Sequence, residues 1–148
     1  MTVPPATNTT VLAFDFGEKR IGVAVGDLAV RIAHPLATID AEDNQRRFGE
    51  IQKLIADWRP ARLVVGLPMH ADGTEHELSR LSRRFAQRLE GRFGLPVSLV
   101  DERFTSVAAE SRLRESGVRD MVKTLDAAAA SEILQSWLES APGDTSKA

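Results

Sequence analysis

Cysteine is absent from the 148 residues, which excludes disulfide frameworks, thiolate zinc sites and cysteine nucleophiles. Long apolar runs are absent too: none approaches the roughly 18 to 20 residues that cross a bilayer. The first ten residues, MTVPPATNTT, hold neither a basic region nor an apolar core, so a secretory leader is not expected. These absences point to the cytoplasm and away from a membrane partner. An excess of one charge is also missing. The net charge is −2 and the pI is near 5.9, so whole-chain electrostatics do not announce a nucleic-acid binder.

What is present suits one folded unit. A hydrophobic content of 43% is enough for a core in a chain of this length. Residues 1–10 and 141–148 are polar and biased to Pro, Gly, Ser and Thr, and are expected to be flexible tails. Between them, residues 11–140 show no internal repeat and no linker. Within residues 80–123, ten bases face six acids, a modest local excess that a solvated surface also explains.

The pattern of apolar residues predicts a β-β-β-α-β-α-β-α-α order. Residues 11–16 are apolar on both alternating faces, as in a strand covered on each side. Residues 20–25 and 31–39, separated by Gly26-Asp27, read as strands returning antiparallel. In residues 40–58, Phe48, Ile51, Ile55 and Trp58 form one helical stripe that Pro60 stops. A buried strand at 63–65 leads to the loop "GLPMHADGT". Thr74 and Glu77 then have the spacing of a capping box, ahead of a helix whose apolar face is Leu78, Leu81, Phe85 and Leu89. Residues 97–100 form the last strand, followed by a helix to about residue 116 and a final one over about 122–139. Three antiparallel strands followed by strands alternating with helices predict a mixed five-stranded α/β sheet flanked by helices.

Three acids interrupt apolar elements. Asp15 ends the first strand and Asp101-Glu102 end the last. Asp126 lies on one helix face with Ala130, Ile133 and Trp137, four, seven and eleven residues on. Taken singly, each is as readily a cap or half of a structural ion pair. Together they form a set of hard oxygen ligands with no accompanying His or Cys, which suits Mg²⁺ or Mn²⁺ better than zinc. Such sites carry out phosphoryl chemistry, with two ions about 4 Å apart. In an alternating strand only one of Asp101 and Glu102 points into a shared site.

Four segments, "FDFGEKRIGVAVGD", "VVGLPMHADGT", "VDERFTS" and "LDAAAASEILQSWL", in this order and spacing, resemble the YqgF/RuvX family over roughly residues 11–140. That family has an RNase H-like fold and is named for resolving Holliday junctions or for cutting pre-16S rRNA. The resemblance implies a metal-dependent nuclease of the two-metal-ion type. Asp15 matches the strand-one acid, Glu102 the Glu of Asp-Glu-Arg, and Asp126 the acid of the Asp-x-x-Ala-Ala helix, all as metal ligands, with Asp101 the alternative to Glu102. It also implies a nucleic-acid partner, with 5′-end maturation of pre-16S rRNA favoured over a DNA junction. The oligomeric state stays open.

Several basic residues are candidate nucleic-acid contacts, each with a plain alternative. Lys19 and Arg20 follow Asp15 and would meet a phosphate there, or form an exposed turn. Arg103 would orient the acid pair or the scissile strand, or make a salt bridge. Arg80, Arg84 and Arg88 line one helix side and would track a backbone, or serve as a solvated face. His34, His70 and His76 lack ligand-like spacing, and Trp58 and Trp137 read as core. Two rivals remain: a nucleotide-dependent kinase or ATPase lobe, which the chain is too short to complete, and a non-catalytic nucleic-acid-binding module.

Overall fold

In the computed structural model, residues 9–102 and 121–140 are described, with side chains in the second stretch from Asp126 onward. Strand β1 (Thr10–Phe16) is the middle of the sheet because it is apolar on both faces. Val11, Leu12, Ala13 and Phe14 are all fully excluded from solvent. Strands β2 (Arg20–Asp27) and β3 (Ile32–Asp40) return antiparallel, while β4 (Arg62–Leu67) and β5 (Val97–Asp101) add in parallel on the other side. The order across the sheet is β3-β2-β1-β4-β5. The expected mixed α/β sheet is therefore the observed one.

Alternation along the strands sorts two cores. Leu12, Phe14, Ile21, Val23, Leu63 and Val65 face helices α1 (Asn44–Trp58) and α2 (Glu77–Phe93), where Phe48, Ile51, Phe85 and Leu89 meet them. Phe85 sits edge-on to Phe14, with ring centroids 5.9 Å apart, and 5.0 Å from Phe16. Val11, Ala13, Ala24 and Val64 face the opposite way, onto Ala130, Ile133, Leu134 and Leu138 of helix α3 (Met121–Ser140). Gln135 fastens α3 to the edge hairpin: its side-chain oxygen accepts from Ala33 N–H at 2.9 Å and its nitrogen donates to Arg31 C=O at 3.0 Å.

Element boundaries differ from expectation where side chains chose other partners. Asp43 is the N-cap of α1, its carboxylate accepting from Arg46 N–H at 3.1 Å, so β3 runs on to Asp40 and the helix starts four residues late. The capping box of α2 is His76 with Ser79, not Thr74 with Glu77. Asp72 takes both the N–H and the hydroxyl of Thr74 into a turn, at 2.9 and 2.7 Å. His76 Nδ1 then accepts from Leu78 N–H at 3.2 Å, and Ser79 Oγ accepts from His76 N–H at 3.0 Å. His76 thus has a structural role that its sequence neighbours did not reveal. Trp58 is 42% exposed and is not core. Trp137 packs partly buried at the rim of the α3 core, with the Arg62 guanidinium 5.8 Å from its ring centroid. At the amino end, Thr9 is tied in: its hydroxyl donates to Asp27 at 2.7 Å and its carbonyl accepts from Leu28 N–H at 2.9 Å. The helix expected up to about residue 116 lies outside the described residues. No helix among the described residues is long and apolar enough to cross a membrane.

Candidate active site

Asp15 belongs to the α3 face of the sheet, because alternation places it with Val11 and Ala13 rather than with Leu12 and Phe14. Its cross-strand partner in β2 is Gly22. On the other side, the β1–β4 register pairs Ala13 with Val64 and Phe14 with Val65, which carries Asp15 next to Gly66. A carboxylate on the middle strand is thus flanked by two residues with no side chain.

Each glycine leaves room for one of the other acids. A methyl group at Gly22 would overlap the backbone carbonyl of Asp126, so only glycine lets α3 settle this low on β2. A methyl group at Gly66 would lie 2.5 Å from Glu102 Oε2 and against the tip of Ile133. The Glu102 carboxylate therefore lies over Gly66, on the same face, and the residue is only 8% exposed. Val97 packs in the α1/α2 core and Val100 in the α3 core, so the alternation of β5 sends Asp101 away from this face. Of the two neighbours, Glu102 is the one on the Asp15 face of the sheet.

Asp126 enters from α3 and is held by Arg20. Arg20 Nε donates to Asp126 Oδ2 at 2.9 Å, linking residues 106 positions apart, with side chains 32% and 25% exposed. Burial pushes the Asp126 carboxyl above the ordinary aspartate range. The Arg20 hydrogen bond and charge pull it back, and the Asp40 charge adds a smaller upward push. Asp40 is the cross-strand partner of Arg20 at the end of β3. Arg20, expected to meet a phosphate or to form an exposed turn, is instead the part-buried partner of one of the acids.

The turn after Asp15 is shaped by a residue that the sequence pattern did not single out. Gly17 makes a tight reversal in which a methyl group would stand 2.5 Å from the Arg20 carbonyl. Arg47 of α1, 3% exposed, donates from Nη2 to Gly17 C=O at 2.7 Å and from Nε to Ala41 C=O. Its guanidinium also lies over Phe16, 5.4 Å from the ring centroid. Burial lowers its pKa, against the opposing charges of Glu42, Asp43 and Glu18. One buried cation thus joins the Asp15 turn to the start of α1.

The remaining basic candidates are placed unevenly. Lys19 is exposed at the tip of that turn. Arg80 pairs with Glu77, Nε to Oε1 at 3.1 Å, and Arg84 and Arg88 share its helix, which packs on the sheet face opposite Asp15. Arg103 lies outside the described residues.

Asp15, Glu102 and Asp126 offer hard oxygen donors from three distant segments on one glycine-floored face, a donor set that fits Mg²⁺ or Mn²⁺. Among the described residues, no group of three or more His, Cys, Asp or Glu side chains stands ready to hold a metal ion. The Asp126 side chain is engaged with Arg20.

Three antiparallel strands continued by two parallel ones, with helices on both faces, make this an RNase H-like fold. A solved structure of T. thermophilus RuvC in complex with a Holliday junction substrate shares the fold: TM-score 0.54, 14% identity, covering 88% of this chain and 94% of that one. The chain belongs to the RuvX family, whose model, described as a Holliday junction resolvase, matches residues 9–140. A relative from Chromobacterium violaceum is 63% identical over 86% of this chain and 96% of its own length. One from Dechloromonas aromatica is 60% identical over 88% and 91%, and one from Burkholderia cenocepacia 51% over 94% and 95%. All three carry the name "Putative pre-16S rRNA nuclease".

Proposed function

We propose that this protein is a divalent-metal-dependent nuclease that hydrolyses RNA phosphodiesters, acting at the 5′ end of pre-16S rRNA. What supports this reading is that Asp15, Glu102 and Asp126 all belong to the α3 face of the sheet, over or beside Gly22 and Gly66. Asp15, on the middle strand, would hold the ion together with Glu102 and Asp126. Held by these residues, Mg²⁺ or Mn²⁺ would supply activation of a water and compensation of charge at the phosphate. Lys19, at the turn tip, contacts the backbone next to the cut. The relatives' shared name supports RNA over DNA, and a single cut needs only one site. Resolution of a four-way junction needs two symmetric cuts and hence a second copy.

Cleavage of a pre-16S rRNA fragment and of a four-way DNA junction, each with Mg²⁺ or with chelator, tests the reading. RNA cleavage is expected, lost with chelator. Asp15→Asn, Glu102→Gln and Asp126→Asn are each expected to slow it by about a thousandfold, equivalent to several kcal/mol of transition-state stabilisation, without changing the circular dichroism. Cleavage that persists in Asp15→Asn would remove the mechanism. Faster cutting of the junction would reassign the substrate.

A further inference from the structure

We infer that Arg20 is a resident counter-cation of the acid site: it neutralises Asp126 while the site is metal-free and gives up that contact when a divalent ion binds. The inference rests on the assignment of Asp126 as a metal ligand, and it adds a residue that competes with the ion.

Three observations carry it. First, converging carboxylates repel one another unless a positive charge joins them, and Arg20 brings one to the acid face. Its position two residues before Gly22 puts it on the same side of β2 as the glycine floor. Second, the contact runs between one nitrogen and one oxygen, Nε to Oδ2 at 2.9 Å, and not through the fork-to-fork pair that fixes Arg and carboxylate most firmly. A single-pronged contact between partly buried side chains can be exchanged. Third, Asp40 is directly across from Arg20 on β3, so a second carboxylate lies within reach of a guanidinium that leaves Asp126. The charge of Asp40 is felt at Asp126, which places all three groups in one electrostatic cluster.

A purely orienting role makes the opposite prediction. If Arg20 only fixed the direction of the Asp126 carboxylate, its loss would weaken metal binding. If it competes, its loss removes a positive charge from beside the ion and strengthens binding.

Mn²⁺ binding to the full chain, read from the electron paramagnetic resonance signal of the free ion, separates the two without any cleavage assay. Arg20→Gln is expected to lower the Mn²⁺ Kd about three- to fivefold, the effect of one partly exposed unit charge. Arg20→Lys, which keeps the charge, should stay near the wild-type value. An unchanged or raised Kd in Arg20→Gln would overturn the inference. The assignment beneath it is checked separately: wild-type binding that survives both Asp15→Asn and Asp126→Asn would overturn the metal site itself. A second measurement uses the native sequence and does not depend on the variant folding. The Arg20 Nε–H resonance should move as Mg²⁺ saturates the wild type and stay still in Asp126→Asn. A resonance unmoved at saturation in the wild type would overturn the exchange.

Discussion

Arg47 is only 3% exposed, with one nitrogen on Gly17 C=O and another on Ala41 C=O. Cutting it back leaves those carbonyls without their donor, so Arg47→Met is expected to cost about 3 kcal/mol in urea denaturation. The cost should come with a loosened turn after Asp15, seen as faster amide exchange there. Glycines give a sharper contrast. Gly22→Ala drives a methyl group into the Asp126 backbone and is expected to cost at least about 2 kcal/mol, whereas Gly49 of α1 has open space around it. Gly49→Ala should stabilise by up to about 1 kcal/mol through helix propensity, measured in the same assay. The acids could be found in the sequence because each breaks an apolar pattern. Arg47 could not, since in "NQRRFGE" it looks like one more solvated base beside Phe48. The partner of Arg20 was hidden for another reason: no local pattern announces a contact 106 residues away.

Strands were easier to read than helix starts. Two-faced apolar runs such as β1 and β4 have no other stable place than the middle of a sheet. A helix start depends on which of several polar residues wins the first free N–H groups, and near α2 three candidates compete: Asp72, Thr74 and His76. The start of α2 also carries two exposed ion pairs, Glu75 with Arg83 and Glu77 with Arg80. Hydrogen bonds from these arginines hold both glutamates below the ordinary glutamate range. An acid lowered in this way supports the folded form at pH values above its unfolded pKa, and that support is lost as pH falls through the lowered value. Amides of the first turn of α2 should therefore lose protection against exchange in acid, relative to their intrinsic rates, below the ordinary glutamate range. At neutral pH the same amides should be unaffected, a contrast that nuclear magnetic resonance can follow.

The whole molecule should register the proposed ion as added stability. A ligand that binds only the folded chain stabilises it by about 2.7 kcal/mol at a hundred times its Kd. For a chain of this size that raises the melting temperature by about 5 to 10 °C, and the rise should vanish in Asp15→Asn. The mixed sheet, three antiparallel strands and then two parallel ones, could be read from the spacing of apolar segments, because short connections and buried middle strands leave few arrangements. What could not be derived was how close α3 lies to the sheet, since that distance is set by Gly22, Gly26 and Gly66 meeting a helix far along the chain. That late-arriving helix has a temporal meaning. A chain emerging from the ribosome presents Asp15, then Glu102, and only afterwards Asp126, so the acid face stays incomplete until α3 has been synthesised and seated.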